Sequence, residues 1–232
     1  MSPWTGRIAS GEHAALLASA QCLAIDAPDR IWSIYRPADL EELWQQMGES
    51  DFGPDERIPY WVELWPSSLL LVEWLAANAP LIQGRTCLDV GCGLGLSACT
   101  ASSVGARVVG LDYALEALYY AKVNARENQV PDPLWVQMDW RFPGFRKHGF
   151  DFIWGGDIFY ERRFAEPLIG MFEHVLAPGG RIWLAEPERS VSSGAWNMLR
   201  ESGWNVRRAA QKAVPTEGYV VNINIWEAQI NL

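Results

Sequence analysis

The sequence predicts an α/β domain built on a mostly parallel sheet with helices on both faces. Three observations predict it. From residue 86 onwards, short apolar runs alternate with helix-like runs. A glycine-rich turn, Gly91-Cys92-Gly93-Leu94-Gly95, joins the first apolar run to the helix pattern after it. Acidic residues, Asp89, Asp112 and Asp139, stand at the ends of three of these runs.

Taken in order, residues 10–25 and 38–47 carry helix-like apolar spacing, with Pro37 and Asp39 marking the start of the second. Gly48, Asp51, Gly53 and Pro54 give 48–58 the composition of a loop. Residues 1–58 therefore read as a helical N-terminal extension, or lid, and 59–232 as the main domain. A helix is expected over 66–79, closed by Pro80 and Gly84. Strands are expected at 86–90, 107–112, 134–138, 150–155, 181–186, 204–209 and 219–228. Helices are expected at 95–104, 115–128, 163–176 and 191–202. The last two strands are too close for a helical crossover, so they are expected to pair antiparallel.

Composition bounds the function. The chain is 49% hydrophobic and 20% charged, ordinary for a globular protein. No apolar run reaches the roughly 20 residues that span a bilayer, and the start lacks a leader pattern. A cytoplasmic protein without membrane partners is expected. Cys22, Cys87, Cys92 and Cys99 form no C-x-x-C pair, which suits reduced thiols. His13, His148 and His174 show no triad or metal spacing, and no metal is expected. A net charge of −9 with only isolated Arg-Arg pairs disfavours nucleic acid and suits a cationic ligand or basic partner. Thirteen tryptophans are unusual. Trp61, Trp65, Trp140 and Trp154 lie near the motifs and are expected to serve core or lid packing, with room for a ligand contact.

The glycines let the backbone turn tightly and a ligand approach closely, and the helix that follows offers free N–H groups. A dinucleotide fingerprint has its third glycine one residue later, where Leu96 stands. Asp89 beside the loop would repel a pyrophosphate and favours a cation, as in the sulfonium and ammonium of S-adenosylmethionine. Asp112, 23 residues after Asp89, suits the ribose hydroxyls. Asp139 suits the adenine amino group, and Trp140 could pack on the ring.

These motifs resemble the class I, seven-stranded S-adenosylmethionine-dependent methyltransferases. Leu88-Asp89-Val90-Gly91-Cys92-Gly93-Leu94-Gly95 meets the hydrophobic-Asp-hydrophobic-Gly-x-Gly-x-Gly pattern, and Leu176-Ala177-Pro178-Gly179-Gly180 meets the turn before the fifth strand. The resemblance covers about 60–228. It implies a Rossmann-like sheet of order 3-2-1-4-5-7-6 with strand seven antiparallel. It also implies S-adenosyl-L-methionine as cofactor, S-adenosyl-L-homocysteine as product, and Trp65, Asp89, Gly91, Gly93, Gly95, Asp112, Asp139, Trp140 and Asp157 as the cofactor's neighbours.

Beside the methyl donor, the fourth strand ends in Trp154-Gly155-Gly156 and continues as Asp157-Ile158-Phe159-Tyr160. Asp157 and Tyr160 are the expected catalytic pair: the carboxylate orients an amine, while Phe159 and Tyr160 wall the channel. Prolines at 158 and 159 would signal base methylation, and they are absent. Asp-x-x-Tyr instead resembles the family-16 methyltransferase-like proteins, many of which methylate protein lysine. Pro59-Tyr60-Trp61, Leu64-Trp65-Pro66 and Glu186-Pro187-Glu188-Arg189 are similar to the electron-transfer flavoprotein β-subunit branch, which tends to have Asp-Pro-Gly-Arg at the last of these. The acceptor is thus expected to be a protein lysine, with a small amine or N-heterocycle as the alternative. A scaffold that binds the cofactor without turnover, and a nicotinamide dehydrogenase, rank below these. The same residues also have structural readings: Asp157 as a cap of the next turn, Glu186 as a solvated strand end, and Trp61 and Trp65 as cover for the sheet edge.

Overall fold

A computed structural model describes residues 10–28, 30–39, 41, 58–188, 190–216 and 218–230. Seven strands form the main sheet: β3 (Thr86–Val90), β4 (Arg107–Asp112), β5 (Leu134–Gln137), β6 (Phe150–Gly156), β7 (Leu176–Pro187), β8 (Trp204–Thr216) and β9 (Tyr219–Ile230). Their order is β5-β4-β3-β6-β7-β9-β8. The first five run parallel, and β9 lies antiparallel between β7 and β8. Renumbered from β3, this is the 3-2-1-4-5-7-6 order that the family resemblance implies, with its seventh strand reversed. The strand order turns back at β3, so the C-terminal ends of β3, β4 and β6 open onto a crevice where α/β sheets bind ligands.

Helices cover both faces. On one lie α2 (Pro66–Ala77), α4 (Leu96–Ser103) and α5 (Leu115–Glu127), with the four-residue α3 (Ala79–Ile82) after α2. Leu71, Leu75, Ala98, Cys99 and Ala121 from these helices bury against Cys87, Trp154 and Trp183 of the sheet. On the other face α6 (Ala165–Val175) and α7 (Ser190–Glu201) bury Leu168, Phe172 and Leu199 against Leu88, Ile153 and Ile182. Leu88 and Cys87 therefore face opposite helical layers, as the two-residue period of a strand requires. Covering both faces explains why β3 and β6 read as continuous apolar runs rather than alternating ones. Trp32, Trp154 and Trp183 have no exposed surface, and much of the unusual tryptophan content is core.

Two expectations are corrected. The first helix is shorter than 10–25: α1 (Ser10–Ala18) gives way to an antiparallel hairpin, β1 (Ala20–Asp26) and β2 (Ile31–Pro37). The apolar residues Leu23, Ile25, Trp32 and Ile34 follow a period of two, and Trp32 and Ile34 are fully buried in the main core. The turn closes through Ala27 and Arg30, whose backbone groups exchange hydrogen bonds of 3.1 and 3.3 Å. Tertiary burial of β2 outweighs the helical tendency of the alanines and leucines before it. The helix expected at 38–47 and the loop at 48–58 lie outside the described residues except at 38, 39, 41 and 58. Secondly, β8 and β9 continue beyond the expected 209 and 219–228 to pair Thr216 with Tyr219, with a bulge between Arg208 and Ala210.

Candidate functional site

The glycine loop holds its shape through backbone bonds that only a tight turn allows. Gly95 donates to the Cys92 carbonyl at 2.8 Å, and Cys92 donates to Leu111 of β4 at 2.9 Å. Gly91, Gly93 and Gly95 have φ of 65°, 51° and 80°, in the left-handed region that side chains disfavour. Their surroundings differ. A Cβ on Gly93 would stand 3.4 Å from the Trp61 carbonyl, and one on Gly91 3.2 Å from Ile158 and 3.9 Å from Trp140. A Cβ on Gly95 would sit 2.7 Å from Ala121 of α5 and 2.8 Å from Trp135. Gly91 and Gly93 thus border the cleft, whereas Gly95 permits α5 and Trp135 to pack beneath it. Gly95 is not among the residues that line the cleft.

The cleft at the loop is lined by Gly91, Cys92, Gly93, Leu94, Leu96 and Ser97 on one side and by Trp61, Glu63, Leu64 and Ser68 on the other. The second wall is the 3-10 turn Tyr60–Val62 and the start of α2. In this segment the sequence singled out Trp61 and Trp65, but not Glu63, Leu64 or Ser68, as possible neighbours of a ligand. The segment's signal is the aromatic run Pro59-Tyr60-Trp61 directly before a helix that starts with Pro66. Trp65 is not among the lining residues; its indole N–H donates to the Tyr60 carbonyl at 3.0 Å and fixes the turn.

Each expected acid is engaged. Asp89 is 1% exposed and accepts the Ser97 hydroxyl at 2.5 Å. Burial raises its pKa to about 7, against the lowering effect of that hydrogen bond. Ser97 was missed from the sequence, since a serine in a helix carries no distinctive signal. Asp112 accepts the Gly93 N–H at 2.8 Å and the Ala114 N–H at 2.9 Å, and burial pushes its pKa upward. It therefore ties the loop to the end of β4. Asp139 is gripped by Arg141, whose backbone N–H and guanidinium reach both carboxylate oxygens at 2.6–3.0 Å. The carboxylate thereby also fixes the turn that carries Trp140. Trp140 itself reaches the loop near Gly91 and meets Phe164 edge-to-face at 5.2 Å.

Asp157 closes β6 in a left-handed conformation, φ 56°, with its N–H bonded to the Ala185 carbonyl at 2.8 Å. Its carboxylate accepts the hydroxyl of Ser67 at 2.8 Å and so reaches the start of α2. Tyr160 lies edge-to-face with Tyr60 at 5.5 Å and with Phe164 at 5.1 Å. Burial first, then Glu161 and Asp112, raise its phenol pKa, so the hydroxyl stays protonated. Phe159 does not wall this space: it is 3% exposed and packs on Trp196 of α7 at 5.4 Å. Tyr60 takes that place. Glu186 is also no solvated strand end, being 5% exposed and accepting the Trp196 indole N–H at 2.6 Å. Trp61 lines the cleft rather than merely covering the sheet edge.

The hairpin braces this region. Asn124 of α5, fully buried, bonds both backbone groups of Tyr35 (2.7 and 3.1 Å) and donates to the Leu94 carbonyl of the glycine loop at 3.0 Å. Asn128, one turn on, does the same for Ser33 at 2.9 and 2.7 Å. Arg36 of β2 pairs with Glu63 of the cleft wall at 2.5 Å.

The sheet order, the reversed strand and the glycine cradle define a class I methyltransferase fold. Residues 88–184 match the methyltransferase domain family. The electron transfer flavoprotein beta subunit lysine methyltransferase of Danio rerio is 37% identical over 47% of this chain and 42% of its own length. Its homolog in Caenorhabditis elegans is 28% identical over 77% of this chain and 78% of its own. The protein-lysine methyltransferase METTL21E of Mus musculus is 31% identical over 50% of this chain and 52% of its own. The alignment thus spans about half the length of the zebrafish and mouse relatives. Among solved structures, the YcgJ protein of Bacillus subtilis superposes with a TM-score of 0.58 at 12% identity, over 70% of this chain and 99% of that one. Magnesium protoporphyrin IX methyltransferase of Synechocystis, solved with bound S-adenosylhomocysteine, superposes with a TM-score of 0.53 at 20% identity, over 70% and 80%.

The residues fit an adenosyl sulfonium cofactor. The two glycines keep open a cradle that any Cβ would narrow against Trp61, Ile158 or Trp140. Carboxylates under and beside the loop suit a cation and ribose hydroxyls, and an aromatic ring stands at the far end.

Proposed function

We propose that this chain is an S-adenosylmethionine-dependent N-methyltransferase acting on lysine side chains of a protein. The observation that carries the reading is Asp157 and Tyr160 held at the end of β6, beside the glycine cradle, in a cage that Tyr60 and Phe164 complete. The lysine methyltransferases among its relatives support the choice of acceptor. Free thiols at all four cysteines suit the reducing cytoplasm. Among the described residues no helix is long and apolar enough to cross a membrane.

Gly91 and Gly93 would bring the backbone close to the cofactor, Asp112 would take its ribose hydroxyls, and Trp140 would flank the adenine. Bound there, S-adenosylmethionine supplies an electrophilic methyl carbon. Asp157 would accept a hydrogen bond from the acceptor amine and hold its lone pair on line, the part of such a displacement that a protein can contribute. The rings of Tyr60, Tyr160 and Phe164 would exclude water and offer their faces to an ammonium. The test is transfer of radiolabelled methyl to a cell lysate, followed by mass spectrometry. Label on lysine in protein bands is expected. Label only in small molecules would move the acceptor to an amine or N-heterocycle, and no label would refute the reading.

A further inference from the structure

Ser67 belongs to none of the motifs read from the sequence, yet it is fully buried and its hydroxyl meets the Asp157 carboxylate at 2.8 Å. Two further features make the contact specific. Asp157 stands at φ 56°, a conformation that costs a side-chain-bearing residue energy and persists only where its surroundings impose it. The residue before it is glycine, and a Cβ there would stand 3.4 Å from the Ser68 hydroxyl and 3.5 Å from the Ser68 backbone nitrogen. The end of β6 and the start of α2 therefore lie side by side, close enough that a Cβ at Gly156 would be in van der Waals contact with Ser68. The Asp157 N–H is anchored to Ala185 of β7 at 2.8 Å. The backbone is thus fixed from the sheet and the carboxylate from the helix.

We infer that Ser67 is the positioning residue for Asp157: its hydroxyl selects the rotamer that presents the carboxylate to the acceptor amine. The assignment rests on the proposed role of Asp157 in methyl transfer. One oxygen accepts from Ser67, and a carboxylate retains further lone pairs for an incoming N–H. Without the hydroxyl the side chain regains rotational freedom about a strained backbone, and the alignment that in-line transfer needs is lost. Because Ser67 is not a residue of the glycine loop, cofactor affinity stays in place.

The experiment uses the full chain labelled with 13C at the aspartate carboxyl carbons. Asp157→Asn identifies the Asp157 resonance by its disappearance. Ser67→Ala is expected to move that resonance and to leave those of Asp89 and Asp112 in place. S-adenosylhomocysteine affinity is expected to stay within about twofold, and label transfer to lysate protein to fall about tenfold, the rate equivalent of one hydrogen bond to a charged group. Ser67→Thr keeps the donor and is expected to keep the wild-type resonance and transfer. An Asp157 resonance unmoved in Ser67→Ala overturns the assignment. So does an equal shift in both variants, which would make packing the cause, or a loss of cofactor affinity that matches the loss of transfer. A resonance that moves in a protein whose wild type transfers no label overturns the methyl-transfer reading instead, and the two failures are thereby told apart.

Discussion

Replacing Asn124 by alanine tests whether the N-terminal hairpin and the glycine loop form one unit. Asn124 spends its side chain on three backbone groups: the N–H and carbonyl of Tyr35 and the carbonyl of Leu94. It has no exposed surface, so water does not replace those bonds without local opening. At roughly 1 kcal/mol for each buried bond lost, the variant should be about 3 kcal/mol less stable. For a chain of this size each kcal/mol moves Tm by roughly 2–4 °C, which places the loss at about 6–12 °C. Asn128→Ala is the control. It releases Ser33 in the same way but touches no part of the loop, and the Asn124 carbonyl that it also contacts keeps the backbone N–H of residue 128. Its loss should be about 2 kcal/mol. Thermal unfolding measures both, and calorimetric titration with S-adenosylhomocysteine measures the loop. Asn124→Ala should weaken binding severalfold while Asn128→Ala leaves it unchanged. If the two variants bind equally, or if Asn124→Ala melts within about 1 °C of wild type, the bracing role assigned to Asn124 is wrong.

Two further outcomes follow from the same geometry. Gly95→Ala should cost about 2–4 kcal/mol by thermal unfolding, combining a left-handed backbone with a Cβ 2.7 Å from Ala121, whereas Gly179→Ala, at φ 74° with nothing within 4 Å, should cost only about 1–2. The Asp89 pKa lies near 7 in the fold against an ordinary 3.8, so the native state holds that proton more tightly than the unfolded chain. Stability should therefore fall as pH rises from about 4 to about 7 and level off above; urea midpoints against pH should show this part of the slope removed in Asp89→Asn.

Much of the fold was legible because its signals are local. The strands β3 and β6 read as apolar runs because both faces of the sheet are covered, and the short gap before β9 signalled its reversal. The hairpin β1–β2 was not legible: Ser19 and the alanines before it suit a helix, and only the burial of Trp32 and Ile34 against the main core selects the strand. The acids at 89, 112, 139 and 157 were legible as residues but not in their partners. Ser97 and Ser67 lie 8 and 90 positions away from the acids they engage, beyond any turn pattern, whereas Arg141 lies only 2 away, within reach of a local Asx turn.

By itself the sequence determined the glycine turn, the alternation of strand and helix, and the acids at the strand ends, since each is a short-range matter of backbone freedom, periodicity and charge. Only the tertiary structure decided which glycines border the cleft and which seat a helix, that Phe159 turns into the core while Tyr60 faces Tyr160, and that Asp157 leans on α2. Those choices depend on which surfaces meet across the sheet. Packing between distant segments sets them, and no local stretch of the chain encodes it.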